Sequence, residues 1–261
     1  MILEGKTIAV SGAGPGLGKE VAACALRDGA NVVLGARTEK KLEDLAAELD
    51  PTGKRVAIQP FDVVDEAKCQ AFAQKAVDSF GALHGVVNVA AFDTLFGTLE
   101  STSAEDWTKA LTTNVIGSTQ VAKACVPHIE AAGGGAVILI GSLSMWLPPP
   151  NKQIAYASSK GALISAMYHM AEELGPKKIR VNMVIPTWMW GPPVQMYVRW
   201  QAGERKVDEQ VIIDEITANM PLGEIPKDED VAEMAVFLCS DRARMVTGET
   251  IQVNAGEFMR G

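Results

Sequence analysis

The sequence predicts a single doubly wound α/β domain, with a seven-stranded parallel sheet covered by helices on both faces. Three observations predict it. Short β-rich runs alternate with helical stretches along the whole chain. Several of these runs are apolar on both faces, as at Ala136, Val137, Ile138, Leu139 and Ile140, and such strands belong inside a parallel sheet. The length, 261 residues, suffices for one large domain with a substantial core.

The elements follow in order. Residues 7–11 form a first strand, and 16–29 a helix with Leu17, Val21, Cys24, Ala25 and Leu26 on its apolar side. A second strand covers 31–36 and a charged amphipathic helix 39–49. A third strand spans 55–59, followed by a helix over 66–80 and a fourth strand over 85–88. One long helix runs from 104 to 131 and leads into a fifth strand over 136–141. A helix over 154–174 precedes the sixth strand, 179–184. The rhythm breaks at 186–226, where prolines 186, 192, 193, 221 and 226 punctuate an irregular stretch; a long interruption in a compact domain suits a substrate lid. A helix over 229–240 and a strand over 250–253 close the chain. The expected strand order is 3-2-1-4-5-6-7 in one domain spanning 1–261, with 186–226 as the lid.

Net charge is −8, which disfavours bulk attraction to nucleic acid or anionic lipid. Four cysteines (24, 69, 125 and 239) lie far apart with no CxxC pair and read as buried free thiols of a reducing compartment. The histidines at 84, 128 and 169 lack metal-ligand spacing, so no metal is expected. No apolar stretch reaches the ~18 residues of a membrane span, and residues 1–6 show no signal pattern. A cytoplasmic protein is expected, with a small molecule rather than a membrane or nucleic acid as its partner.

The first strand runs into Ser11-Gly-Ala-Gly-Pro-Gly-Leu-Gly18, which opens a helix. Of the glycines at 12, 16 and 18, one makes the tight turn, one lets backbone N–H groups approach a pyrophosphate, and one permits close helix–sheet packing. The helix N-terminus adds partial positive charge. Gly12, Gly14, Pro15, Gly16, Leu17 and Gly18 therefore form the predicted dinucleotide seat. No Gly-Lys-Ser/Thr follows, so the turn is not a P-loop. At the end of the second strand, an acidic residue would bond the ribose hydroxyls of NAD. Ala36 stands there instead, followed by Arg37 and Thr38. An arginine fork suits a 2′-phosphate, so NADP(H) is the expected cofactor, with NAD(H) the alternative. Lys40 and Lys41 add a positive field behind the site. Asp62, after the third strand, is placed to accept from the adenine amino group.

Tyr156 and Lys160 lie four apart near the start of a helix, and so on one face, ~5–6 Å apart. An ammonium beside a phenol favours the phenolate and lowers its pKa. Such a group serves an alcohol oxidation as base and a carbonyl reduction as acid.

With these marks the chain resembles the short-chain dehydrogenase/reductase family, in its short single-domain subgroup, over essentially its whole length. The matching positions are Gly12, Gly16 and Gly18, Asp62, Asn88, Asn114, Ser142, Tyr156 and Lys160, the Asn182/Pro186 segment, and Val246-Thr247-Gly248 before the last strand. The resemblance implies a Rossmann-type NAD(P) domain and an alcohol–carbonyl oxidoreductase. It implies that Ser142 hydrogen-bonds the substrate oxygen, Tyr156 transfers the proton, Lys160 binds the nicotinamide ribose and continues a proton relay, and Asn114 holds a water in that relay. Val63, Val89 and Ala90 join the cofactor residues, and Pro186, Thr187 and Met189 border the nicotinamide. It further implies a homotetramer, packed through the long helix around Asn114, the Tyr156 helix and the last strand near Gln252.

The chain departs from the family pattern in four places. Ala91 replaces a glycine beside the cofactor, Thr187 replaces the glycine after Pro186, and Gly191 stands where a threonine usually touches the cofactor. The interval from Ser142 to Tyr156 is one residue longer, which leaves Ser142 and Ser144 both open as substrate donor. Ser144, Met145, Trp146, Trp188 and Trp190 are the expected substrate walls, and apolar walls suit a bulky, mostly uncharged small molecule. Two alternatives stay open: a lyase or epimerase on the same cofactor fold, and a non-catalytic dinucleotide sensor.

Overall fold

The apolar runs become seven strands: β1 (Thr7–Ser11), β2 (Asn31–Ala36), β3 (Val56–Pro60), β4 (Gly85–Asn88), β5 (Gly135–Ile140), β6 (Ile179–Pro186) and β7 (Thr250–Val253). All pair in parallel, in the order β3-β2-β1-β4-β5-β6-β7, as the sequence predicts. The computed structural model describes residues 1–259; residues 260 and 261, the end of the expected domain, lie outside the described residues.

Side chains alternate across a strand, and that alternation sorts the core into two layers. Ile8, Val10, Val32, Leu34, Ile138 and Val184 face one side, against α1 (Leu17–Arg27), α2 (Glu39–Leu49) and α9 (Asp228–Cys239). Ala9, Val33, Val86, Val137, Leu139 and Met183 face the other, against α3 (Glu66–Phe80), α5 (Ser118–Ala131) and α6 (Ile154–Leu174). Local signals set the helix ends. Asp65 caps α3 by accepting from the Lys68 N–H, and Gly81, at φ 82°, stops it. A capping box between Ser103 and Asp106 starts α4 (Ala104–Leu111).

Two expectations are corrected. The helix over 104–131 is not uniform. α4 passes through a π-helical turn, Thr112–Gly117, into α5. Asn114 sits in that turn, fully buried, with its amide bonded across to Phe92 and Ser159. Apolar periodicity cannot register a single wide turn of this kind. The stretch 186–226 is not irregular either: it folds into α7 (Pro192–Arg205) and α8 (Glu209–Thr217). Pro192 and Pro193 lie in the first turn of α7, where proline lacks no needed hydrogen bond; read as breakers, they hid the helix they begin. Asp208 caps α8. Smaller differences are shifts of one or two residues at element edges, including β6, which extends to Pro186.

The order β3-β2-β1 on one side and β4 to β7 on the other reverses the winding between β1 and β4. At their C-terminal ends Ser11 pairs with Asn88. A doubly wound sheet opens its ligand crevice at such a switch point.

Candidate active site

The turn after β1 is built on close approach. Gly12 has φ 86°, and a Cβ there would overlap the backbone nitrogen of Ala90. The N–H groups of Val89 and Ala90 donate to the Ser11 carbonyl at 2.9 and 3.0 Å, locking β4's end to β1. A Cβ on Gly18 would overlap the Gly12 carbonyl oxygen, the predicted close helix–sheet contact. Gly16, at φ 103°, precedes α1 without a side-chain cap, so the first N–H groups of the helix have no cap to satisfy them. Gly14 has open space beside it and Pro15 is exposed. An uncapped helix start behind a glycine turn fits the diphosphate of a dinucleotide. Asn88 donates to the Ser118 carbonyl at 3.2 Å, while its buried Oδ1 has no partner.

Arg37, Pro60, Phe61, Asp62 and Lys68 line a cavity of about 190 Å³ beside the end of β2. Arg37 and Thr38 are exposed at its rim, and Val63 is buried behind it. Lys68, which the sequence reading missed, reaches this wall from the first turn of α3. Lys40 adds less than expected, because Asp44 at 2.8 Å and Glu43 at 3.8 Å on its own helix pair with it.

β5 delivers Ser142 to the crevice. Its hydroxyl lies 2.9 Å from that of Ser144, so both candidate donors stand at one point. Tyr156 and Lys160 share a face of α6, with the lysine Nζ 5.7 Å from the phenol ring centre. Lys160 is buried and donates to the Ile140 carbonyl at 2.7 Å. The electrostatics differ from the expectation. Burial pushes the Tyr156 phenol up to about 12; the hydrogen bond from Ser142 opposes this, and the Asp93 charge adds to it. Burial also pulls Lys160 down to about 8, against the pull of Asp93. Desolvation disfavours both charged forms and outweighs the mutual help that their spacing suggests. The Asn114 side chain is fully committed, accepting from Phe92 N–H at 2.7 Å and donating to Phe92 O at 3.2 Å and Ser159 Oγ at 2.9 Å.

Beyond β6, Pro186 is buried, and the Thr187 hydroxyl donates to the Glu257 carboxylate. Trp146 stacks on Phe258 with ring centres 5.8 Å apart, and Met145 packs against the same core layer. Trp188 packs on Tyr197 of α7 at 5.2 Å. Trp190 joins a separate small cluster with Val198, Ala202 and Ile212 of α7 and α8, and Met189 packs on the opposite layer.

The family model described as enoyl-(acyl carrier protein) reductase matches residues 12–257. The pig (Sus scrofa) protein named dehydrogenase/reductase SDR family member 4 is 31% identical over 258 residues, covering 99% of this chain and 89% of the pig protein. This chain belongs to the short-chain dehydrogenase/reductase family. The 3-oxoacyl-(acyl-carrier-protein) reductase of Thermotoga maritima is 28% identical over 256 residues, 98% of this chain and 99% of that one. Among solved structures, L-sorbose reductase from Gluconobacter frateurii, complexed with NADPH and L-sorbose, superposes with a TM-score of 0.92 at 26% identity over 100% of both chains. A short-chain dehydrogenase/reductase from Mycobacterium ulcerans gives 0.87 at 30% identity, over 98% of this chain and 91% of that one. The protein is thus an NAD(P)-dependent oxidoreductase of Rossmann type.

In this short-chain dehydrogenase/reductase the tertiary structure adds groups that no local motif marks. The Asp93 charge acts on Tyr156 and Lys160, Glu257 meets Thr187 and Phe258 meets Trp146, each across a long stretch of chain. Glu257 brings a carboxylate to Thr187, beside walls that the sequence reading made apolar apart from Ser144. Cys24, Glu229 and Glu233 also converge within 4.8 Å, but Arg27 already clamps Glu233 through both guanidinium nitrogens at 2.5 and 2.7 Å, and burial raises the thiol to about 12. That cluster is a contact between α1 and α9.

Proposed function

We propose that the protein interconverts a secondary alcohol and a carbonyl on a bulky small molecule, preferring NADP(H) and accepting NAD(H). The observation that carries this reading is the Tyr156–Lys160 pair, with the Ser142 and Ser144 hydroxyls converging 2.9 Å apart at the same crevice. Gly12, Gly14, Gly16 and the start of α1 would hold the diphosphate, Arg37 and Lys68 the 2′-phosphate, and Lys160 the nicotinamide ribose. When bound, the nicotinamide supplies or takes up the hydride. Tyr156 gives or removes the proton at the substrate oxygen, which Ser142 orients by donating to it. The relay water falls to the main-chain carbonyl at Asn114, since the side chain is spent on Phe92 and Ser159. Trp146 and Phe258 make an aromatic wall, and the Glu257 carboxylate gives it one polar edge.

The assembly in this reading is a cytoplasmic homotetramer. Leu111 and Ile116 on the long helix and Tyr168 on α6 are exposed, 38%, 49% and 51% respectively, on the two helices expected to pack against their copies. Four buried free thiols suit a reducing compartment, and among the described residues no helix is long and apolar enough to cross a membrane.

The test is a panel of ketones and secondary alcohols, followed by absorbance of the reduced nicotinamide. Tyr156→Phe is expected to lower turnover by ~10²–10⁴ while cofactor affinity stays within a few-fold. Retention of more than half the activity overturns the assignment.

A further inference from the structure

Asp228, the first residue of α9, stands between two glycines that border the cofactor seat. Its Oδ2 lies 3.4 Å from where a Cβ of Gly16 would be. A Cβ on Gly191 would overlap the same oxygen and come within 3.1 Å of Cγ and 3.2 Å of Oδ1. Gly16 is the residue that lets a diphosphate approach the start of α1. Gly191 stands where the family resemblance expects a threonine against the cofactor, and the space a side chain there would need is filled by this carboxylate. No cation or donor among the described residues pairs with it. The charged group facing it from α1 is Glu20. On α9, Glu229 lies 3.9 Å from Arg27, and Asp230 accepts from the Lys227 backbone N–H at 2.7 Å. The turn 12–16 and the segment 189–193 bring no ionisable side chain. Burial and Glu20 both raise the Asp228 pKa from its ordinary value, as befits a carboxylate held in an uncompensated place.

We propose that Asp228 is an internal anion at the diphosphate seat, whose negative charge opposes the cofactor's diphosphate and sets the affinity for dinucleotide. The inference rests on the dinucleotide reading of the glycine turn. A carboxylate placed against Gly16 meets the incoming diphosphate as a like charge with no intervening cation. The start of α9 favours a negative charge at its first turn, which keeps the carboxylate in place until the cofactor displaces or neutralises it. Adenosine binding at Arg37 and Asp62, at the other end of the seat, does not sense it.

The experiment titrates NADP⁺, NAD⁺ and adenosine 2′-monophosphate into wild type, Asp228→Asn and Asp228→Ser at pH 8, by tryptophan fluorescence, with a melting curve to show that each variant is folded. The expected result is a Kd for both dinucleotides about tenfold lower in the two variants at low salt. The gain shrinks at high salt, and the Kd for adenosine 2′-monophosphate does not change. Equal or weaker dinucleotide binding by the variants overturns the proposal, as does an equal gain for adenosine 2′-monophosphate, which would mark a general effect on the fold. Failure of wild type and variants alike to bind either dinucleotide overturns the cofactor reading and this inference with it.

Discussion

Burial, more than neighbour charge, governs the two residues at the centre of the site. Lys160 falls from an ordinary 10.5 to about 8, so the fold favours its neutral amine. The stability this contributes is fully present above 10.5 and is lost as pH falls through about 8. Replacement by a neutral side chain of similar length, Lys160→Met, is therefore expected to raise the melting temperature of the free protein near pH 7, by an amount corresponding to on the order of 2–3 kcal/mol, and to make little difference near pH 10. Melting curves across that range check it, and a variant less stable than wild type at pH 7 would show that the bond to Ile140 outweighs desolvation. At the adenosine end, Ala36 leaves room where a carboxylate would repel a 2′-phosphate, and Arg37 supplies a charge-assisted contact worth ~1.5–3 kcal/mol. The kcat/KM ratio for NADP(H) over NAD(H) is expected at roughly ten- to a hundredfold, and Ala36→Asp should invert it. An unchanged ratio in that variant removes the strand-two site as the determinant.

Among the elements, α7 and α8 stand apart from the helices that cover the sheet. They pack on a cluster of their own, Val198, Ala202 and Ile212 with Trp190 beside them, while the other major helices join the two large layers over the sheet. A unit with a small private core opens more readily than the domain it sits on. Amide exchange in residues 192–217 is expected to be faster than in β1, β4 and β5, and to slow when dinucleotide and substrate are both present. Ile212→Ala should speed exchange locally and raise the substrate KM without changing cofactor Kd by more than a few-fold. Uniform protection across α7, α8 and the central strands would contradict a lid. The π turn at Asn114 is the opposite case, an irregularity held rigid, because three hydrogen bonds from one buried amide fix it.

For the whole molecule, a tetramer is expected from the family resemblance, and the exposed apolar side chains on the long helix and on α6 suit it. Sedimentation at micromolar concentration should give about four times the mass of one chain, 27.8 kDa. Ile116→Arg together with Tyr168→Glu should yield a smaller species that keeps its fold by circular dichroism, since both side chains are exposed in the single chain. A wild-type monomer would contradict the assembly and leave the proposed crevice chemistry untouched, because every group proposed for it comes from one chain.

The sequence by itself determined the sheet and its order, and it picked out the residues proposed as the core of the site. Apolar runs two-sided in their burial specify parallel strands, and the glycine turn specifies its own geometry, as the overlaps at Gly12 and Gly18 bear out. Tyr156 and Lys160 were legible because an i, i+4 spacing fixes proximity within one helix. Tertiary structure alone decided what lies around them. Glu257 meets Thr187 across 70 residues, Asp228 meets Gly16 from the far end of the chain, and Asp93 acts on Tyr156 and Lys160 from the loop after β4. Periodicity and spacing describe neighbours along one element and carry no information about which distant elements touch. The direction of the Tyr156 shift was hidden for the same reason: local spacing gives the partner, but desolvation depends on everything that covers the phenol, and that is known only once the chain has folded.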